Sequence, residues 1–237
     1  DSTGRTLNMT GNVLLWHLNG NSTADSSGMS YDGVQEFGPD CSVSGRLNGG
    51  CYFSGDTYAQ INTSTNIYFS TGGATMMAWV WHDGSQTTAG YVRTALSMSD
   101  SKDGTNFQQG FADYYNNWTL FVNGGYGTYL GDFAENEWNH AVAVYTETNA
   151  SLYVNGVFMA SVSGNYTDVN SSLYLGTNQY SAGNLNQEWK GYIDEVAIWN
   201  RSLSEQEILD IYNIQKNAYS NISMEYRTSN DNSNWLA

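Results

Sequence analysis

Cations are what this sequence most lacks. Eight Lys and Arg stand against 23 Asp and Glu, a formal net charge of −15, and no cluster of basic residues occurs anywhere. Nucleic acid and anionic lipid are recognised through such clusters, so both are excluded as partners. Charge of either sign is also thin, at 13% of residues, which argues against a carboxylate-covered halophile surface. The acid excess favours a cationic partner, with Ca²⁺ the first candidate. Proline occurs once, no apolar run approaches the ~20 residues of a membrane span, and Asp1-Ser-Thr-Gly-Arg5 has no signal-peptide pattern, so any leader is expected to have been removed or to lie outside these 237 residues. What is abundant is aromatic: 14% of residues, within a hydrophobic share of 40%. That mix excludes a disordered chain, a coiled coil and a collagen-like repeat, and 237 residues give room for one large β-domain or two small ones.

Cysteine is limited to Cys41 and Cys51, ten positions apart in a Gly/Ser-rich stretch. Two isolated thiols make no metal motif, leaving a local disulfide or two inert core thiols. The sequons Asn8, Asn21, Asn62, Asn117, Asn149, Asn165, Asn170, Asn200 and Asn221 tilt that choice: nine occur, where composition alone gives about five. Together these features point outside the cell and to the disulfide.

Short segments rich in β-branched and aromatic residues, separated by Gly/Asn/Ser/Asp clusters, read as strands: 13–18, 51–54, 58–61, 74–81, 92–98, 118–122, 138–145, 151–154, 157–162, 173–175 and 189–199. Asn155-Gly156 has the composition of a two-residue type I′ hairpin turn. Many strands are apolar on both faces, as in Trp138–Tyr145, which suits the inner sheet of a curved sandwich. The class is therefore all-β, a jelly-roll sandwich of two antiparallel sheets. One helix is expected, opened by the capping box Ser204-Glu-Gln-Glu207 and carried by Ile208, Leu209 and Tyr212 to about Lys216. Beyond it, Ile222-Ser-Met-Glu-Tyr alternates, so residues 1–217 read as the sandwich. Residues 218–237 read as a linker and the first strand of a following module or an inter-subunit strand; a last strand of the same sandwich is the alternative.

Four segments carry a wider pattern: Gly45-Arg-Leu47 with Tyr52-Phe-Ser-Gly-Asp56; Trp138-Asn-His-Ala141; Leu152-Tyr-Val-Asn-Gly156; and Gly191-Tyr-Ile-Asp-Glu-Val-Ala-Ile-Trp-Asn-Arg-Ser-Leu-Ser204 with Glu207-Ile208. With Leu15-Trp16 and Asp25-Ser-Ser-Gly28, the ordered set resembles the concanavalin A-like lectin/glucanase superfamily, in its laminin-G-like branch, over about residues 10–216. The resemblance implies a two-sheet jelly roll, an extracellular adhesion or carbohydrate-binding role, and often a structural Ca²⁺. Ser54 stands where relatives commonly have Asp.

In a regular strand Asp194 would face the same way as Val196 and Ile198, and Glu195 the other way. Both neighbourhoods are apolar, so at least one carboxylate is sheltered, at a cost of several kcal/mol unless paired or metal-bound. A structural Ca²⁺ held by Asp25 and Asp194 is one expectation; backbone or Arg201 hydrogen bonds to Asp194, with a plain Asx turn at Asp25, is the other. Catalysis is not expected. The alternating Glu-x-Asp-x-x-Glu of the glucanase relatives is absent, Glu135-Asn-Glu137 has no third acid in register, and His17, His82 and His140 are isolated, His140 with a packing role. Sugar-stacking rings with polar neighbours occur in three apparent loops, which nominate Tyr114, Tyr115, Asn116, Tyr126, Tyr129 and Tyr180 as ligand-binding residues. The expected function is a non-catalytic extracellular or cell-surface module binding glycan or a protein partner. A repeating subunit of a surface layer or filament, touching copies of itself, is the alternative, and a glycoside hydrolase the remote one.

Overall fold

The computed structural model describes residues 7–36, 38–55, 60–63, 65–69, 73–84, 92–99, 107–122, 125–127, 130–163, 169–177 and 188–229. They form sixteen strands and one helix: β1 (Asn12–Trp16), β2 (Gly33–Glu36), β3 (Asp40–Leu47), β4 (Gly49–Ser54), β5 (Gln60–Thr63), β6 (Ile67–Phe69), β7 (Ala74–His82), β8 (Val92–Ser99), β9 (Phe107–Tyr114), β10 (Trp118–Val122), β11 (Gly125–Gly127), β12 (Asn139–Tyr145), β13 (Asn149–Val154), β14 (Val157–Ser163), β15 (Val169–Leu175), β16 (Lys190–Trp199) and α1 (Glu205–Ser229).

Two eight-stranded antiparallel sheets result. The first runs β14-β13-β12-β7-β16-β4-β3, with β1 also on β16; the second runs β11-β10-β9-β8-β15-β5-β2, with β6 on β15. Between them lies the main core, which includes Trp16, Phe53, Met76, Phe111, Trp118 and Ile198. A sheet face stripped of water on this scale is the main stabilising term of the fold. The Asn155-Gly156 turn closes β13 onto β14 with positive φ at both residues, 52° and 79°, as the dipeptide demands. Cys41 and Cys51 are joined in a disulfide between β3 and β4, and both are fully buried.

The second cluster lies on the outer face of the first sheet, beneath α1: Met77, Val142, Ala197, Trp199, Leu203, Ile208 and Ile211. The capping box forms as expected: the Glu207 amide donates to Ser204 Oγ at 3.3 Å, and the Ser204 amide to Glu207 Oε2 at 2.9 Å. Arg201 donates to the same carboxylate at 2.6 and 3.0 Å. Those Arg201 bonds, against a small opposing effect of burial, take the Glu207 carboxyl down to about 2.

α1 corrects one expectation. It continues through Ile222-Ser-Met-Glu-Tyr to Ser229, where alternation predicted a strand of a following module or an inter-subunit strand. A capped nucleus extends cheaply, one hydrogen bond per added residue, and Glu205–Ser229 contains neither Gly nor Pro to stop it.

Candidate functional site

Asp194 and Glu195 leave strand geometry. β16 has a bulge between Asp194 and Ala197 in its pairing with β7, and Glu195 sits at φ 50°, a left-handed backbone rare for a residue with a side chain. The bulge shifts the alternation by one. Ile193, Val196 and Ile198 face the main core, and Ala197 and Trp199 face α1. The expected grouping of Asp194 with Val196 and Ile198 is therefore overturned: the inserted residue resets which face each later side chain takes. Both carboxylates are buried, Asp194 at 0% and Glu195 at 5% exposure.

Backbone amides surround Asp194. Leu47 N donates to Oδ2 and Glu195 N to Oδ1, each at 2.8 Å, and the Arg46 amide adds a third. Gly45 is required beside them, because a Cβ there would meet both the Gly49 carbonyl and the Asp194 carboxylate. Burial pushes the Asp194 carboxyl up to about 7, the amides pull down, and the Glu195 charge adds to the rise. Asp25, in the turn after β1, accepts from Leu15 N and Ser27 N on Oδ1 and from Ser27 Oγ and Tyr31 N on Oδ2, all at 2.7–3.0 Å. Burial opposes these bonds and loses to them, so the Asp25 carboxyl lies below its usual value.

Such amide-lined carboxylates do not fit Ca²⁺. Each N–H points positive charge at the oxygen a cation would need, and neither residue belongs to a group of three ligating side chains among the described residues. The Asx-turn and backbone-bonded alternatives are what the structure holds at Asp25 and Asp194.

A different acid cluster, invisible to the sequence reading, spans the two sheets at one end. His82 ends β7, Arg93 and Asp113 are cross-strand partners on β8 and β9, and Glu135 lies in the turn before β12. One ligand atom from each of His82, Asp113 and Glu135 lies within 4.8 Å of the others, a spacing that could hold a metal. Arg93 already supplies the cation: its Nη1 is 2.7 Å from Asp113 Oδ2 and 3.3 Å from Glu135 Oε1. Burial raises the Asp113 carboxyl to about 6 despite the Arg93 charge. The one sequence signal was an Arg inside the apolar strand Val92-Arg-Thr-Ala-Leu. Glu137 is exposed while Glu135 turns inward, so the two do not act as a facing pair.

Above this cluster stands the aromatic hairpin. β9 continues to Tyr114, so only Tyr115 and Asn116 make the turn, and Tyr114, expected in a loop, ends a strand. Tyr114 and Asn117 exchange backbone hydrogen bonds at 2.8 and 3.1 Å, and Tyr115 and Asn116 have φ of 53° and 60°. This is a type I′ pattern, which Asn-Gly fills without strain and a tyrosine does not. Asn116 is held: its Oδ1 accepts from Arg93 Nη1 at 3.3 Å and its carbonyl from Phe133 N at 2.9 Å. Tyr115 is 48% exposed, its ring edge-on to Tyr114 with centroids 4.5 Å apart. Tyr126 lies on β11, in register with Phe121 across from β10. Tyr129 and Tyr180 lie outside the described residues. Of the sequons, Asn8, Asn21, Asn149, Asn170 and Asn200 are exposed and Asn62 and Asn117 half-buried; Asn221 is in α1, and Asn165 is outside the described residues.

His140 is fully buried between the rings of Trp79, 5.1 Å away, and Tyr212, 5.7 Å away, with neither ring nitrogen hydrogen-bonded. Burial, with the Arg46 charge, lowers it to about 3.

The profile of the concanavalin A-like lectin/glucanases superfamily matches residues 53–209, about two thirds of the chain. The chain belongs to that superfamily. No curated protein matches it by sequence. Among solved structures it is similar to domain 4 of AbnA, an extracellular GH43 arabinanase of Geobacillus stearothermophilus solved with arabinotriose, at 19% identity and TM-score 0.67, covering 85% of this chain and 98% of that one. It is also similar to the binding domain of Paraclostridial Mosquitocidal Protein 1 (18% identity, TM-score 0.68, 90% and 53% covered). The receptor-binding domain of botulinum neurotoxin D is a third (15%, 0.64, 86% and 53%). The chain thus spans about half the length of each toxin domain. At these identities the likeness is one of fold.

Proposed function

We propose that this superfamily member is a non-catalytic, extracellular glycan-binding module whose contact surface centres on the β9–β10 hairpin. The observation that carries it is Tyr115: an aromatic side chain held exposed at a left-handed turn position where glycine would be cheaper. Backbone strain of about 1–3 kcal/mol persists where surrounding structure over-determines it, and such sites cluster at ligand contacts. Asn116, pinned by Arg93 and Phe133, fixes the ring's base, and a tyrosine face stacks on sugar C–H surfaces. A buried disulfide suits an oxidising compartment. No helix among the described residues is long and apolar enough to cross a membrane. The arabinotriose-bound domain and the toxin binding domains support a recognition role for this fold.

A glycan array, with arabino-oligosaccharides included, followed by titration of Tyr115→Gly, tests the reading. Glycine at 115 relieves the left-handed strain, so the variant melts no lower than the native chain while losing about tenfold or more in affinity. Retained affinity, or no glycan bound at all, removes the proposal. Self-association is the second reading, favoured by Val157 and Phe158, 66% and 48% exposed on edge strand β14; a chain monomeric by sedimentation at high concentration removes it.

A further inference from the structure

A second site lies on the opposite sheet, under α1. A cavity of about 460 Å³ opens between the outer face of the first sheet, the helix and the segment before β1. Leu15, Met77, Ala197, Trp199 and Ile211 make it apolar, and its volume is in the range of small-molecule pockets, roughly 300–1,000 Å³. Water gains little in such a space, because it needs two or more polar partners.

The polar groups at the cavity form one chain. Trp79 Nε1 donates to Gln215 Oε1 at 2.8 Å, Gln215 Nε2 to Glu195 Oε2 at 3.5 Å, and Glu195 Oε1 meets His17 Nδ1 at 2.9 Å. Glu195 reaches it because of the bulge, at the point where β1 leaves the flank of β16 and β4 takes over. His17, 44% exposed, and Met9, 38% exposed, mark the mouth. The hydrogen bond to Glu195 raises the His17 pKa, more than burial lowers it. Trp199 adds an indole wall, 2% exposed, with its Nε1 sealed from water.

We infer that this cavity binds a neutral amphiphile: a hydrocarbon or ring body within the apolar walls and an oxygen-bearing head at the mouth, beside Glu195 and His17. A charged head is disfavoured: among the described lining residues the ionisable pair Glu195 and His17 already bond to each other, so a further buried charge would stand unpaired. This site is separate from the Tyr115 hairpin and independent of the glycan reading.

N-phenyl-1-naphthylamine, a neutral reporter whose emission rises in apolar surroundings, is titrated into the full chain and then displaced by 1-decanol, decanoate or decylammonium. Expected is saturable one-to-one binding, with 1-decanol displacing at a concentration about tenfold or more below either charged analogue. Ala197→Phe and Ile214→Trp fill the space and abolish reporter binding. Ile214 is a half-buried helix position, so it carries the test if Ala197→Phe does not fold. The inference is overturned if the native chain shows no saturable binding, if a folded Ile214→Trp binds as well as the native chain, or if a charged analogue displaces as well as 1-decanol.

Discussion

Replacing His140 by Phe removes an imidazole that the fold holds neutral. The group lies near 3 in the folded chain against an ordinary 6.5, so below 6.5 the unfolded state takes up a proton that the native state refuses. The sign follows: a depressed native pKa costs the native chain stability as pH falls through 6.5. At about pH 5 the unfolded imidazole is almost fully protonated, worth about 2 kcal/mol to the unfolded state, and at about pH 8 nothing. Phe keeps a ring between Trp79 and Tyr212 and does not titrate, so its packing effect is an offset independent of pH. The stability difference between variant and native chain therefore moves by about 2 kcal/mol in the variant's favour from pH 8 to pH 5. For a chain of this size that is about 4 °C in Tm. Urea unfolding followed by tryptophan fluorescence at several pH values reads it directly, and Arg46 and the neighbouring carboxylates contribute equally to both proteins. A difference that is flat with pH, or one that favours the native chain in acid, refutes the buried neutral imidazole.

Replacing both Cys41 and Cys51 by Ser releases a loop of ten residues' separation and costs about 3 kcal/mol in the chain-entropy picture, read as a lower urea midpoint. Arg93→Met leaves buried Asp113 beside half-buried Glu135 with no cation between them and destabilises by about 3–5 kcal/mol at neutral pH. Arg93 helps hold the Asp113 carboxyl down to about 6, so without it that group protonates at higher pH and its share of the loss shrinks as pH falls to about 6; a loss constant with pH contradicts the arrangement. Calcium or chelator leaves the thermal melt unchanged, since Asp25 and Asp194 are filled by N–H donors; a calcium-dependent rise that Asp25→Asn abolishes overturns that geometry.

Much of the sandwich was legible because local signals agreed: Trp118–Val122 reads as a strand at its true limits, Asn155-Gly156 closes its hairpin, and Ser204 and Glu207 cap their helix. The failures have physical causes. Glu195 takes a left-handed backbone that no alternation rule anticipates, and one inserted residue reverses every face assignment after it. β9, with Gln108, Gln109, Gly110 and Asp113, has too little apolar alternation to be read as a strand, yet its neighbours β8 and β10 pair with it on both sides. The hairpin tyrosines were visible as residues, but the strain that singles out Tyr115 exists only in three dimensions. The cavity under α1 joins residues up to 208 positions apart, Leu7 and Gln215, beyond reach of any spacing argument.

β16 is the last strand in chain order among the described residues, yet it belongs in the middle of its sheet, with β7 on one flank and β4 and β1 sharing the other. Until about residue 199 has been made, the partners it will join present unsatisfied edges, and Asn12 waits for Trp199, 187 positions further along. The first sheet therefore cannot close before β16 is made: a chain halted before residue 190 lacks the keystone of one layer, whatever its other strands can do. Edges left open in that interval are the ones that invite pairing with other chains.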